Sequence, residues 1–463
     1  MSEEREQPVL RAPSHAPLRS SEEPAHHAHA GRRRLLLAVA MGLVAGTVYV
    51  GLRSAIHDDT PAPPSGSVST SADVGAEAAV RRATAGELLL QQMSSAIAGG
   101  DRAAFTGIVD PDATTFAPEA QQVFENLQAL PLASIVMRYV SDNPDQLPAD
   151  RRREIGGQEA WLAQVEVSWR LTGFDPQPVR LTVPMTLVTR DGSTYLSSLS
   201  DQVRPGQRRP FWLLGKIRAV RGERSLVVSL DPKADLVAYA RTVDSAIESV
   251  TAVWGPNWRR TVVLYLPRTQ SQMEYVLGAR QHTYDQIAAV TTAEADERSV
   301  GVPVRIVANP ARFMSLGTQG RRIVLTHETT HVASRATASA VPLWFAEGFA
   351  DYVAFKAVHV PTGSAAKELL AAVRVGKGPK MLPEPAAFSA SSKQLAIAYE
   401  GSWLACQLIA TKYGEDKLVR LYRTVHASRS PNGMRDGFRT VLNTTQEQFA
   451  DDWLRYLRRL ADE

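Results

Sequence analysis

The pentapeptide His327-Glu328-Thr329-Thr330-His331 narrows more than anything else what this chain can become. On a helix the two histidines lie one turn apart on the same face. Two imidazoles so placed can both reach one zinc ion at about 2.0–2.1 Å. Glu328 follows the first histidine, so its carboxylate leans beside the metal rather than onto it. There it can take a proton from water whose pKa the metal lowers to about 7. The spacing therefore supplies two ligands and a base. Ile323, Val324, His327, His331 and Val332 fall on or near one stripe, which assigns the histidines to the buried side of the helix. Buried histidines beside a buried glutamate need a partner.

The next helix offers one. Val341-Pro342-Leu343-Trp344-Phe345-Ala346-Glu347-Gly348-Phe349-Ala350-Asp351-Tyr352 opens with proline in its first turn and places Glu347 in an apolar face. A carboxylate there is expensive unless it has a cation, and zinc would be that cation. Asp351 sits one turn further along the same face. It is placed to accept the free ring N–H of a ligand histidine, which fixes the tautomer.

HETTH followed by PLWFAEGFADY resembles the gluzincin zinc metallopeptidases and, more narrowly, the peptidase MA-like families. The resemblance spans roughly residues 231–460. It implies His327, His331 and Glu347 as zinc ligands, Glu328 as general base and Asp351 as orienter of a histidine. Fifteen residues separate His331 from Glu347, somewhat fewer than in aminopeptidase-like gluzincins. The G-x-M-x-N motif of those aminopeptidases is absent, so substrate preference and endo- versus exopeptidase action stay open. A Y-x-x-G-x-S segment follows the helix pair in peptidase MA-like sequences. Tyr399, in Ala398-Tyr399-Glu400-Gly401-Ser402-Trp403, is similarly placed. By that likeness it would donate to the tetrahedral intermediate; read as a residue, it is equally a core tyrosine.

Around the motif, Leu236, Ala240, Val243, Ile247 and Val250 form one helical stripe after Asp231-Pro232. Thr261–Leu266 reads as a buried strand. Val302–Ala308 reads as another, with Pro303 assigning it to an edge where an extended peptide could add. Thr444 and Glu447 read as a capping box for the last helix, whose inner face is Phe449, Trp453, Tyr456 and Leu457.

Residues 35–52 read LLLAVAMGLVAGTVYVGL, uncharged and about 27 Å long as a helix, close to the ~30 Å hydrocarbon core of a bilayer. Arg32, Arg33 and Arg34 precede the run, whereas Arg53, Asp58 and Asp59 follow it. The positive-inside rule then puts the N-terminus in the cytoplasm and the remainder outside, as a single-pass plasma-membrane protein. The tail 1–34 reads as disordered, with chance histidines at 26, 27 and 29, and 53–78 reads as a Pro/Ser-rich linker. The formal charge of +4 is spread thinly, without the basic aromatic stripe of a nucleic-acid binder. A single cysteine, Cys406, excludes an intrachain disulfide and a thiolate zinc site.

Between anchor and motif, Leu88, Leu89, Met93 and Ile97 have helical spacing. Strand signals follow at 163–169, at 179–183 with Pro184, and on both sides of the Asp191-Gly192 turn. Phe211-Trp212-Leu213-Leu214 reads as a last strand. Helices first and then a meander define an α+β unit. The segments AIAGGDRAAF and PFWLLGKI resemble the nuclear transport factor 2-like cone. The expected chain is thus multi-domain: a single N-terminal transmembrane helix, an α+β middle domain over 79–225 combining a cone-like helix with an antiparallel sheet, and a mostly α, zincin-like metallopeptidase domain over 226–463 with a small sheet. The function to expect is zinc-dependent hydrolysis of a peptide or protein substrate. The alternative is a non-catalytic envelope protein that uses the zincin scaffold and the middle domain for binding.

Overall fold

The computed structural model describes residues 70–143, 146–294, 301–339, 341–389, 392–428 and 430–463. The expected tail, membrane anchor and most of the linker lie outside these residues. Among the described residues no helix is long and apolar enough to cross a membrane.

Helix α1, Thr70–Gly99, begins inside the stretch expected to be linker. Alanines at 72, 76, 78 and 79 are the strongest helix formers, and they outweigh the loop character of the preceding Pro/Ser tract. Its inner face is Leu89, Leu90, Met93, Ala96 and Ile97, while Leu88 points outward. Helices α2 (Arg102–Gly107) and α3 (Ala117–Gln128) follow, and Asp101 caps α2 by accepting from Ala104 N.

An antiparallel meander comes next: β1 Leu132–Asp142, a short helix α4 Ala149–Ile155, then β2 Glu159–Leu171, β3 Val179–Arg190 and β4 Ser193–Ser198. Asp191 and Gly192 turn between β3 and β4 with φ of 49° and 77°, the left-handed pair that a tight hairpin requires. Pro184 lies where β3 has β2 on one side and has run past β4 on the other, so its missing N–H breaks no ladder.

Phe211–Leu213 is a 3₁₀ turn, not the expected strand. All three side chains are buried, and one side chain satisfies three of the polar backbone groups around them. Asn126 Nδ2 donates to the carbonyls of Trp212 and Gly215, and its Oδ1 accepts from Ile217 N. An apolar run can be buried this way without a ladder.

The second sheet has the order β5-β6-β7-β9-β8. Its strands are β5 Arg218–Arg221, β6 Ser225–Ser229, β7 Val262–Leu266, β8 Ala289–Ala293 and β9 Val304–Ala308. Strands β6, β7 and β9 are parallel, with β5 and β8 antiparallel on the outside. β9 is therefore an inner strand, which corrects the edge expected from Pro303. That proline precedes the first residue of β9, and its carbonyl accepts from Glu294 N. The edge on this side is β8, whose five residues AVTTA carry little strand pattern of their own.

One face of this sheet, with Val228, Val263, Tyr265 and Val307, shares a continuous core with the meander and Trp212. Phe211 stacks on Tyr265 across the join, with ring centroids 4.4 Å apart. The opposite face, with Val227, Leu264 and Ile306, is covered by α5 (Leu236–Trp254) and α7 (Thr318–Ser334); α6 is Gln270–Leu277. The remaining helices are α8 Leu343–Val358, α9 Thr362–Ala365, α10 Lys367–Arg374, α11 Leu395–Tyr413, α12 Glu415–Ala427, α13 Gly433–Gly437 and α14 Gln446–Asp462. They pack around Trp403, Tyr422 and Trp453. The last helix is capped by Thr445 and Gln448, one residue later than the expected box. Asn443 turns left-handed at φ 54° and delays the helix start.

Candidate metal centre

Helix α7 is buried on every side, not along one stripe as expected: from Ile323 to Ser334 only Val332 is partly exposed. It runs between the second sheet, α5 and α8, so it has no solvent face to fill with charges. Two of its threonines satisfy themselves locally, Thr326 donating to Arg322 O and Thr330 to Thr326 O, both at 2.8 Å, while the buried Thr329 hydroxyl has no partner among the described residues. The histidines are thus held in a helix that has nowhere to move.

Helix α8 brings the carboxylates. Gly348 follows Glu347, and a Cβ there would lie 2.3 Å from the carbonyl oxygen of Ser402 on α11. Only glycine allows α8 and α11 to touch at that point. The contact fixes the depth at which Glu347 reaches α7.

The three sequence-designated ligands converge. His327 Nε2 is 2.9 Å from His331 Nε2 and 3.2 Å from Glu347 Oε2, and His331 Nε2 is 3.6 Å from the same oxygen. A tetrahedral zinc with bonds of about 2.0–2.1 Å separates its ligand atoms by roughly 3.3–3.4 Å, so the three distances bracket that value. Among the described residues Glu347 Oε2 has no hydrogen-bond partner despite these approaches and full burial. The three ligand atoms lie within 4.8 Å of one another, close enough to share one ion. Residue types, separations and the orphaned oxygen all fit a zinc ion.

His327 Nδ1 lies 2.7 Å from Asp351 Oδ1. Burial works against the charged imidazole, but Asp351 and Glu347 outweigh it and raise the His327 pKa to about 10. Glu347 moves the other way, below the usual carboxylate range: burial opposes this, but His331 and His327 prevail.

Glu328 is wholly buried, and its two oxygens differ. Oε2 accepts from Thr291 Oγ1 at 2.6 Å, while Oε1 has no partner among the described residues. Burial raises its pKa to about 6, against the pull of His327, His331 and the Thr291 hydroxyl. A carboxylate near that value can take a proton and return it at neutral pH. Tyr399, on α11, is buried with its ring edge-on to Phe388 at 5.2 Å.

Two features were not read from the sequence. The first is Thr291, on β8. The second is Arg305 on β9, fully buried, which donates through both Nη atoms to Asp175 at 2.7 and 2.9 Å. Its Nε is 2.6 Å from Glu294, just past β8. Asp175 belongs to the β2–β3 turn, so this cluster ties the meander to the strand beside Glu328. An arginine in the otherwise apolar VPVRIVA was the available signal, because a charge there demands a partner.

Among solved structures, this chain is similar to M1 zinc metallopeptidases of Deinococcus radiodurans. A mutant of one bound to a Tyr-Ser-Ala substrate is 15% identical with a TM-score of 0.30, covering 52% of this chain and 51% of its own. A mutant crystallised as such is 14% identical with a TM-score of 0.30, covering 64% and 61%. A third structure is 16% identical with a TM-score of 0.30, covering 58% of each chain. The chain spans about half to three-fifths of these proteins. No protein-family model and no curated protein matches it.

Proposed function

We propose that this chain is a zinc-dependent peptidase in which His327, His331 and Glu347 hold the metal and Glu328 is the general base. The observation that carries the reading is the convergence of three buried ligand atoms beside a carboxylate that keeps one oxygen unbonded among the described residues. Zinc, when bound, supplies polarisation of a scissile carbonyl and a lowered pKa for water. Glu328 Oε1 takes the proton of the attacking water and returns it to the leaving amine. Asp351 accepts from His327 Nδ1 and so keeps the Nε2 lone pair on the ligand point. Tyr399 donates its hydroxyl to the developing oxyanion.

The substrate lies as an extended strand along β8, which replaces residues 304–307 in this role because β8 is the sheet edge. The body works outside the cytoplasm, anchored through residues 35–52. A second reading, a non-catalytic protein that retains the site as a scaffold, is favoured by the complete burial of His327, Glu328, His331 and Glu347.

The test is zinc content and cleavage of an unbiased peptide library by the full chain and by Glu328→Gln, with and without chelator. About one zinc in both, with chelator-sensitive cleavage lost in the variant, is the expected outcome. Zinc without cleavage would favour the scaffold reading. No zinc in either would overturn the ligand assignment.

A further inference from the structure

We infer that Thr291 is a positioning residue for the general base, holding one oxygen of Glu328 so that the other is presented to the reacting water. The inference rests on the peptidase reading above. A glutamate carboxylate rotates about its last torsion between two nearly equivalent states, and this torsion is broad in the absence of a partner. Here the two oxygens are made different. Oε2 takes the Thr291 hydroxyl at 2.6 Å; the same hydroxyl is 3.2 Å from the Glu328 carbonyl oxygen. Oε1 is left buried and unpartnered among the described residues. An unpaired buried carboxylate oxygen is costly, and the arrangement places that cost at the atom that has to accept a proton.

The backbone of Thr291 gives it a second role. At the two ends of β8, Asn309 N donates to Ala288 O and Glu294 N donates to Pro303 O, both at 2.8 Å. These are the closely bonded pairs of the antiparallel ladder, and such pairs alternate. Residues 288, 290, 292 and 294 therefore turn their backbone groups toward β9. Residues 289, 291 and 293 turn theirs to the side on which no further strand pairs among the described residues. Thr291, only 3% exposed, thus turns its N–H and C=O to the side where an extended substrate would pair, while its side chain reaches down to Glu328. A strand that docks on β8 presses on the same residue that aims the base, so substrate seating and base orientation are coupled through one side chain.

The experiment uses the full-length chain loaded with zinc. Thr291→Val keeps the shape and removes the hydroxyl, and Thr291→Ser restores it. A fluorogenic peptide drawn from the library gives kcat and KM. Calorimetry with acetohydroxamate, whose hydroxyl would donate to Glu328 Oε1, gives a readout free of turnover. Zinc content and thermal midpoint are measured alongside. For Thr291→Val, kcat should fall by about 10- to 100-fold with KM, zinc content and midpoint held. Acetohydroxamate should bind more weakly, and Thr291→Ser should recover both. An unchanged kcat in Thr291→Val overturns the inference. So does a loss that tracks zinc release or a lowered midpoint, because the hydroxyl would then serve the fold alone. Equal acetohydroxamate affinity in all three proteins also overturns it. Glu328→Gln separates the two levels: if it is inactive while Thr291→Val is fully active, only this inference falls; if it stays active, the peptidase reading falls first.

Discussion

Nδ1 of His327 and Oδ1 of Asp351 are 2.7 Å apart, joining α7 to α8 at full burial. His331 has no such support, since its Nδ1 is buried without a partner among the described residues. One of the two histidines is therefore aimed by a carboxylate and the other by packing alone. Replacing Asp351 by Asn should weaken zinc binding about 10- to 100-fold. Competition with a chromogenic chelator would measure it. Wild-type affinity in Asp351→Asn would show that the helix alone orients His327.

Gly348 is the point of closest approach between α8 and α11. Gly348→Ala sets a Cβ 2.3 Å from Ser402 O and 2.5 Å from its carbonyl carbon, both backbone atoms that cannot swing aside. Overpacking against flexible side chains costs about 1–3 kcal/mol, and rigid backbone should put this substitution at or above the top of that range. The displaced α8 should also carry Glu347 out of reach. Thermal denaturation and zinc stoichiometry should fall together; a stable variant with full zinc content would contradict the proposed tightness of the contact.

Arg305 is the hub of a buried cluster with two acidic partners from different parts of the chain, Asp175 and Glu294. Arg305→Gln would leave those two carboxylates facing each other in the core. Breaking a buried pair by removing one partner costs about 3–5 kcal/mol. Urea unfolding of Arg305→Gln should show a loss of that order, with β8 loosened over Glu328 and peptide cleavage reduced with it. A change under about 1 kcal/mol would mean that water enters and solvates the carboxylates.

Glu400 gives the fold a pH dependence. It is buried on α11, and its Oε2 accepts from Leu369 N in the first turn of α10. Burial and the neighbouring Glu368 raise its pKa from 4.5 to about 9. Between those values the native state binds more protons than the unfolded chain, so stability falls as pH rises through that window. Glu400→Gln keeps the hydrogen bond and cannot ionise. It should flatten the decline, and its thermal midpoint should exceed wild type at pH 8 but not at pH 4. Parallel melting curves for the two proteins across that range would refute the assignment.

Much of the centre is legible in local spacing. His327 and His331 share a helical face because covalent geometry puts i and i+4 together, and Glu328 follows from its place between them. Glu347 and Asp351 stand one turn apart for the same reason, and Asp191-Gly192 declares its hairpin because few other residues accept positive φ. Such features depend on neighbours in the chain, and a sequence states those directly.

The tertiary structure decided what depends on layers meeting. It made β8 rather than β9 the outer strand, because β9 pairs with β7 on one side and with β8 on the other, which a proline before its first residue does not prevent. It brought Thr291 onto Glu328 across 37 residues and Arg305 onto Asp175 across 130. It buried α7 all round, so that no stripe remained to be read, and turned Phe211–Leu213 into a 3₁₀ plug bonded by Asn126. These contacts join segments whose separation in sequence carries no information about their distance in space. Only the packing of the meander, the second sheet and the helices against one another fixes them.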